Sequence, residues 1–313
     1  MKKRLSVIIV SWNSEEFLGA CLSSLDNLGF YDIETIVVDN ASQDGTVRLL
    51  RELEKSQTGK RLGLIVRYST TNIGWSKGTE VGVRISSGKW LLSCNPDIGF
   101  TRDFEELLNY AESHEFLVLA PSLVTPTGQV HTGLRKLTIA RLFVGFTNIG
   151  QSFDRLIGRS FISRDFHYAN PVFDKPFFVD HPPASFFLVR RDLLPFLGDY
   201  FLPSELPIYF GDSDLFARIQ KLGIPAVLLP SVRIRHYESY SRKLVSPETY
   251  EYRMTQGMMK YAKKWKLHSR FLAILVTIDA IFAPFISVPH VVRPPRRRDI
   301  LRSAYRLKAL ILS

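Results

Sequence analysis

The chain has 313 residues, a formal net charge of +11 and 45% hydrophobic residues. This length can bury a sizeable core, and two cysteines are too few for a disulfide framework or a cysteine-rich zinc site, which favours a reducing compartment. Residues 241–313 hold 15 Lys and Arg against four acids, so the whole excess charge lies there. The neutral main body argues against a basic nucleic-acid groove, and the basic end favours an anionic partner.

Short apolar segments alternate with amphipathic ones along the first 120 residues. The first of them lacks a small-residue cleavage site after it, so it is better explained as a strand than as a signal peptide. In chain order, strands are predicted at Leu5–Ser11, Ile33–Val38, Leu62–Arg67, Trp90–Ser93 and Phe116–Ala120, and helices at Glu15–Leu28, Thr46–Lys55, Gly78–Ile85 and Phe104–Ser113. This alternation predicts an α/β fold with a mostly parallel, doubly wound central sheet.

The second half of the chain is less regular. Residues 121–180 are rich in Phe, Arg and Gly, and their pattern predicts no topology. Further along, the patterns predict strands at Ser185–Val189 and Ala226–Leu229, a helix at Asp212–Leu222, a polar loop at Arg233–Lys243 and a long basic helix at Pro247–Lys266.

Residues 271–292 are apolar except for Asp279 and His290. Their length suffices for a membrane span, but the acid and two prolines make a span costly. The basic run RPPRRRDILRSAYRLK follows at once. The pattern favours a peripheral or re-entrant position in an anionic membrane interface. A helical pair packed on protein and a true span are the alternatives.

Side chains able to bind a ligand follow several of the predicted strands. In such sheets, ligands bind beyond the carboxyl ends of the strands, which here carry Trp12, Asp39, Asn72 and Asp97. Asp39 can accept a hydrogen bond from a nucleobase or a ribose, or it can cap a helix. Asp97, on the stiff turn Asn95-Pro96-Asp97, has the chemistry of a magnesium or manganese ligand, although all three residues are also ordinary turn formers.

Three further positions can carry chemistry. The turn that begins at Asn72 places backbone amides and Lys77 where an anion can bind, but it lacks the spacing of a phosphate-binding P-loop. Asp212 and Asp214 precede a helix, where one can cap the helix and the other can act as a general base. His236 stands among Arg and Lys side chains, so a metal or diphosphate role competes with a purely structural one.

Seven segments, taken in order, resemble the family 2 inverting glycosyltransferases of GT-A fold, and among them the rhamnosyltransferase-like branch. The segments are VIIVSWNSEEFLGACLSSL, VVDNASQDGT, NIGWSKG, LLSCNPDI, ASFFLVRRDLL, YFGDSDLFARIQKLG and VRIRHYES. They cover roughly residues 5–240. Each segment is weak alone, but the ordered set is specific.

The resemblance implies a UDP- or dTDP-linked sugar donor, a glycan or polyprenyl-linked acceptor, and Mg²⁺ or Mn²⁺. Asp212 matches the catalytic base, and Asp214 matches the acid that supports it. Asp97 and His236 match the positions that approach the metal. The positions implied in substrate binding are Trp12, Asn13, Asp39, Asn72, Gly74, Trp75, Lys77, Asn95, Arg190 and His236.

The domain prediction places a transferase domain at residues 1–245, with a nucleotide-binding half at 1–120 and an acceptor-binding half at 121–245. Residues 246–313 are predicted to associate with the cytoplasmic face of the membrane.

Gly211 departs from the family pattern, which often has an acid before Asp212, and Thr79-Glu80 and Pro183-Ala184 depart from it elsewhere. The alternatives are therefore a degenerate transferase fold that binds nucleotide without turnover, and another sugar-nucleotide enzyme such as a nucleotidyltransferase.

Overall fold

The computed structural model describes residues 3–30, 32–156, 161–168, 174–237, 244–282, 286–287, 291–292 and 297–312. Its strands are β1 Leu5–Ser11, β2 Ile33–Asp39, β3 Leu64–Tyr68, β4 Trp90–Cys94, β5 Ile98–Gly99, β6 Val118–Val124, β7 Val130–His131, β8 Phe177–Val179, β9 Phe186–Arg190, β10 Ala226–His236, β11 Ile286–Ser287 and β12 Val291–Val292. Its α-helices are α1 Glu15–Asp26, α2 Thr46–Lys55, α3 Gln57–Arg61, α4 Trp75–Ile85, α5 Asp103–Ser113, α6 Ile139–Phe146, α7 Asn148–Leu156, α8 Phe161–Phe166, α9 Gly211–Lys221, α10 Pro247–Lys264, α11 Ser269–Phe282 and α12 Arg297–Ile311. A 3₁₀-helix follows β9 at Arg191–Leu197.

One mixed sheet organises the chain, with the strand order β3-β2-β1-β4-β9-β6-β10-β5. Strands β3, β2, β1 and β4 are parallel neighbours, and β6 pairs with β10 in parallel. Strand β9 is antiparallel to both β4 and β6, so β4, β6 and β10 share one direction. The carboxyl ends of β1, β2, β4 and β10 therefore meet at the same edge. The mostly parallel α/β sheet predicted from the sequence is confirmed.

The sheet is covered on both faces, as its uniformly buried central strands require. On one face Leu22 of α1, Leu50 of α2 and Phe104 of α5 pack against alternate residues of β1 such as Val7. On the other face the core includes Ile8 of β1, together with side chains of α4, the 3₁₀-helix and α9. The period-two alternation along the strands thus supplies both layers of the doubly wound arrangement.

A third hydrophobic core joins α6 to the C-terminal helices. Leu142 of α6, Met258 of α10 and Leu272 of α11 are buried in it. Asp279 of α11, which interrupts the apolar segment, is fully buried and accepts a hydrogen bond from the backbone N–H of Ile149 at 2.7 Å. It also forms an ion pair with Arg306 of α12. Protein contacts therefore account for the acid in this segment.

The membrane prediction for residues 271–292 falls partly outside the described residues, since 283–285 and 288–290 are not among them. The basic residues 293–296 also lie outside the described part of the chain. Among the described residues, none of the helices combines the length and the hydropathy that crossing a bilayer requires.

The loop predicted at Arg233–Lys243 is wrong over its first four residues. Strand β10 continues to His236, and its last residues alternate between buried and exposed as a strand with one buried face does. The end of β10 pairs in antiparallel register with β5, opposite Ile98. Residues 238–243 lie outside the described residues. They include Arg242 and Lys243, two of the basic residues that follow His236 in the sequence.

Candidate active site

A cavity opens at the carboxyl edge of the sheet. Of the residues predicted for the site, the ones that line this cavity are Trp12, Asn72, Gly74, Trp75, Asn95, Asp97 and Asp212. They come from the ends of β1 and β4, the turn before α4 and the first turn of α9. The topology thus brings together residues that are as many as 200 positions apart in the chain.

Asp39 lies at the end of β2 within a tight hydrogen-bond network. Its carboxylate accepts bonds from Ser42 Oγ at 2.5 Å, from the Ser42 backbone N–H at 3.1 Å and from Ser11 Oγ at 3.2 Å. Asn13, with a left-handed φ of 49°, accepts a bond from the Gln43 N–H at 2.7 Å. The loops after β1 and β2 are therefore held to each other. Trp12 lines the cavity, whereas Asp39, which is 1% exposed, and Asn13 lie outside its lining.

The turn before α4 depends on glycine. Gly74 has a φ of +84°, and a Cβ there would lie 2.5 Å from the carbonyl oxygen of Pro207. The side chain of Asn72 caps the turn by accepting the Gly74 N–H at 2.9 Å. Lys77, in the first turn of α4, is exposed and is not part of the cavity wall. The turn itself, rather than the lysine, faces the cavity.

Asp97 and His236 form a buried couple with unsatisfied polar atoms. The Oδ1 atom of Asp97 lies 3.5 Å from Nε2 of His236, and neither atom has a hydrogen-bond partner. Backbone pairing imposes this approach, because His236 is opposite Ile98 in the β10–β5 ladder and the Tyr237 N–H bonds to the Asp97 carbonyl at 3.0 Å. Buried polar atoms without partners are rare, and here they face each other across a gap that suits a cation.

The donor set of this couple fits a hard divalent ion. Within the described ranges, no group of three or more His, Cys, Asp or Glu side chains converges on one point. Magnesium and manganese bind through one or two protein ligands when a substrate supplies phosphate oxygens. Asp97 and His236 can therefore hold Mg²⁺ or Mn²⁺ together with a bound diphosphate.

Asn95 and Arg190, both predicted to bind substrate, lie at opposite edges of the sheet. Asn95 is tied to the start of β9 by bonds from its backbone N–H and its Nδ2 atom to Ser185, at 3.0 and 3.1 Å. Because β9 is antiparallel to β4, its last residue, Arg190, lies beside Trp90 at the beginning of β4. Arg190 bonds to Asp192 there, so the structure corrects its assignment to the site.

Asp212 stands in the first turn of α9 and is 18% exposed. The residue that precedes the helix, Phe210, has a left-handed φ of 65°, a conformation that large side chains rarely adopt and that is often found beside active sites. Gly211 has a packing reason of its own, since an added Cβ would overlap Ser76 Oγ. The acid missing at position 211 therefore reflects the lack of space beside Ser76.

Asp214 is fully buried and has three partners. Its carboxylate pairs with Arg218 at 3.0 Å and with Lys264 at 2.9 Å, and it accepts a hydrogen bond from Trp265 Nε1 at 3.0 Å. Lys264 and Trp265 belong to the end of α10, so this carboxylate joins α9 to the C-terminal helices. With its oxygens so engaged, Asp214 can support the site by holding Asp212 in position.

His181 contacts Asp212, and no sequence signal identified it. The Nε2 atom of His181 lies 3.2 Å from Asp212 Oδ2 and 3.0 Å from Ser213 Oγ. Burial lowers the pKa of this imidazole, but the charge of Asp212 and the hydrogen bonds around the ring raise it above its ordinary value. A lone histidine in an irregular segment is usually structural, so no sequence pattern distinguishes His181 as a site residue.

Part of the cavity wall is formed largely by aromatic and apolar side chains. It is formed by Phe146 of α6, Tyr209 and Phe210 before α9, and Met254 of α10, with Arg253 beside them. The rings of Phe146 and Phe210 are 5.2 Å apart, which closes this wall. Helix α10 thus contributes directly to the cavity through Arg253 and Met254.

Comparisons with known families and proteins give two sequence matches. The model of the family "Glycosyl transferase family 2" matches residues 6–194, which is more than half of the chain. An uncharacterized glycosyltransferase of Haemophilus influenzae is 27% identical over 114 residues; this alignment covers 36% of the present chain and about a third (34%) of the length of that protein.

Two solved structures share the fold. The S. aureus TarS fragment 1–349 superposes with a TM-score of 0.53 and 17% identity, over 98% of this chain and 80% of that one. A mannosyltransferase from Pyrobaculum calidifontis, solved with GDP-Man and Mn²⁺, gives a TM-score of 0.53 and 16% identity over 99% and 87%. The GT-A-type α/β fold implied by the motifs is therefore confirmed, and the chain belongs to glycosyl transferase family 2.

Proposed function

We propose that this glycosyltransferase moves a sugar from a UDP- or dTDP-linked donor to a glycan or polyprenyl-linked acceptor by one inverting displacement. The observation that carries the proposal is that Asp212, the unpaired Asp97 and the glycine turn at Gly74 all face one cavity. The resemblance of the motifs to the rhamnosyltransferase branch favours rhamnose as the sugar.

Asp212 is the general base of the proposed mechanism. It accepts the proton of the acceptor hydroxyl as that oxygen attacks the anomeric carbon from the face opposite the diphosphate. A positioned base contributes about 10²–10⁴-fold to the rate, and a single displacement needs no covalent nucleophile. Asp214 assists indirectly, because its ion pairs hold the first turn of α9 against α10.

The nucleotide side of the cavity supplies binding and charge neutralisation. The turn at Asn72 and Gly74 leads into the start of α4, where the positive end of the helix dipole would favour the phosphates. The N–H groups of Gly74 and Ser76 bond to Asn72 Oδ1 and to the Pro207 carbonyl. Asp97 and His236 would hold Mg²⁺ or Mn²⁺, which when bound stabilises the negative charge of the diphosphate leaving group. Trp12, with Asn13 and Asp39 behind it, would contact the nucleoside.

The acceptor side favours an amphiphile. Its wall combines the aromatic and apolar side chains of Phe146, Tyr209 and Met254 with the positive charge of Arg253. A free sugar would leave much of this surface unmatched. A polyprenyl-diphosphate-linked glycan offers an apolar chain for the wall and an anion for the arginine.

A membrane position follows from the same acceptor. On α11, Phe271, Ile274, Ile278 and Ile281 are exposed at helical spacing, while Leu272 on the other side is buried in the third core. An apolar stripe beside a basic C-terminal region suits the interface of an anionic membrane. The proposed location is the cytoplasmic face of the cell membrane, in a peripheral or re-entrant position.

The test is acceptor-dependent release of nucleoside diphosphate from a panel of nucleotide sugars, with Mn²⁺ and Mg²⁺ in parallel. The proposal predicts release from a UDP- or dTDP-sugar that requires an acceptor. A degenerate scaffold would bind nucleotide, seen as a thermal shift, without release. A nucleotidyltransferase would release no nucleoside diphosphate, and it would convert the nucleotide sugar to nucleoside triphosphate and sugar 1-phosphate only when pyrophosphate is added. Either result would defeat the proposal.

A further inference from the structure

We propose that His181 is a positioning residue for the base, and that its imidazolium holds the Asp212 carboxylate ionised and oriented at the cavity wall. This inference depends on the proposed role of Asp212 and extends it by giving the base a charged partner. It concerns a side chain that the sequence motifs do not include.

The hydrogen bonds around the ring determine where its protons lie. Nδ1 of His181 is 2.9 Å from the carbonyl oxygen of Pro182, which can only accept, so Nδ1 carries a proton. Nε2 faces Asp212 Oδ2 at 3.2 Å, and an ionised carboxylate is also only an acceptor. Ser213 Oγ, 3.0 Å from the same Nε2, can accept from a protonated nitrogen or donate to an unprotonated one. The adjacent Asp212 carboxylate favours the protonated Nε2, because its charge and hydrogen bond raise the pKa of His181.

The ring is held in place from several sides. The backbone of His181 exchanges two hydrogen bonds with Leu134, at 2.8 and 2.9 Å, in an isolated bridge. Its ring centroid is 4.9 Å from that of Phe216 in an edge-on contact, and the residue is 6% exposed. A side chain held this firmly can orient the carboxylate that it contacts.

Other charges near the pair are already matched. Asp214, two residues along α9, is paired with Arg218 and Lys264. Tyr261 of α10 faces both acids, and its pKa is raised by burial and by their negative charges, so it remains neutral. Within the described part of the chain, His181 is the cationic partner recorded within ion-pair distance of Asp212.

The pair has a consequence for pH dependence. Burial by itself raises the pKa of Asp212, but the charge and hydrogen bond of His181 and the backbone N–H groups of the helix start lower it below its ordinary value. A base works only when unprotonated, so activity is present above this pKa and is lost as the pH falls through it. Without His181, burial prevails and the pKa of Asp212 rises. The acid limb of the pH–rate profile must then move to higher pH.

The kinetic experiment compares wild type with His181→Asn, using whichever of UDP-glucose, UDP-GlcNAc, dTDP-rhamnose and GDP-mannose gives the fastest acceptor-dependent release. We expect the acid limb of kcat to move up by at least about one pH unit, so that the variant loses about tenfold more activity than wild type near that limb. At alkaline pH the variant should recover most of its kcat. A uniform fall at every pH, with the limb unmoved, would overturn the proposal.

A second experiment needs no substrate and covers a variant that fails to fold. Full-length protein is labelled with ¹⁵N-histidine, and the His181 signal is assigned by its loss in His181→Gln. This imidazole should stay protonated above pH ~6.5, which is the ordinary pKa of histidine. The pKa of the His181 imidazole should fall in Asp212→Asn. Titration of His181 at or below the ordinary value in wild type would contradict the ion pair. Near-normal transfer by Asp212→Asn would instead defeat the proposed function, which keeps the two failures distinct.

Discussion

The unpaired couple of Asp97 and His236 predicts opposite effects of one substitution on stability and on ligand binding. In wild type a buried carboxylate oxygen and a ring nitrogen face each other 3.5 Å apart without a hydrogen bond. A buried polar atom without a partner costs about 1–3 kcal/mol. The amide of Asp97→Asn can donate to the His236 nitrogen, so the ligand-free variant should be as stable as wild type or up to about that amount more stable.

The same substitution should weaken the stabilisation that the bound ligand provides. A nucleotide with Mn²⁺ at about 100 times its Kd stabilises the folded state by about 2.7 kcal/mol. In a chain of this size that corresponds to roughly 4 °C in Tm, and Asp97→Asn should lose most of the Mn²⁺-dependent part. The assay is thermal unfolding with UDP, dTDP or GDP, with and without Mn²⁺. Asp192→Asn, an acid 61% exposed at the opposite edge, is the matched control and should behave as wild type.

Two results would refute the reasoning. A ligand-free Asp97→Asn protein that is destabilised by more than about 2 kcal/mol would show that the carboxylate already has a stabilising partner. A variant that keeps its full Mn²⁺-dependent shift would show that the ion is held elsewhere. Either outcome would remove the couple from the proposed mechanism.

Three further substitutions test separate parts of the structure. Asp214→Asn should lower the free energy of unfolding by about 3 kcal/mol in urea titrations, because it leaves buried cations without their carboxylate. Gly211→Ala should cost about 1–3 kcal/mol by overpacking against Ser76, and adding Ser76→Ala should restore part of that loss. Ile278→Glu on the exposed stripe of α11 should reduce flotation with anionic liposomes. Phe196→Glu in the 3₁₀-helix should not, although Phe196 is more exposed than Ile278 (68% against 42%).

Each of these has a clear contrary result. An Asp214→Asn protein of wild-type stability would mean that its three contacts contribute little. Additive effects of the two alanine substitutions would mean that position 211 is limited by something other than Ser76. Equal flotation of the Ile278 and Phe196 variants would remove the stripe of α11 as the membrane contact.

Much of the sheet could be predicted because its strands have strong local patterns. Uniformly apolar runs such as Leu5–Ser11 are typical of strands buried on both faces, and parallel strands bring their carboxyl ends to one edge. This topological rule predicts Trp12, Asn72 and Asp97 around a common cavity, which all three line, whereas Asp39 at the end of β2 is buried outside its lining.

The errors arose where long-range pairing decides the outcome. The apolar pattern of β9 does not show whether the strand runs parallel or antiparallel to β4. The end of the sheet at which Arg190 lies could therefore not be predicted from it. Charged residues in VRIRH suggested a loop, although the alternation within this segment fits a strand whose partner is β6. His181 is held beside Asp212 by its backbone bridge to Leu134 and its ring contact with Phe216, which are long-range contacts that no local pattern encodes.

The most direct test of the account is transfer by Asp212→Asn measured beside its nucleotide binding. The account predicts that the variant binds the nucleoside diphosphate and Mn²⁺ with nearly wild-type affinity, while acceptor-dependent release falls by about 10²–10⁴-fold. Near-normal release by this variant would contradict the central claim that Asp212 is the base of the reaction.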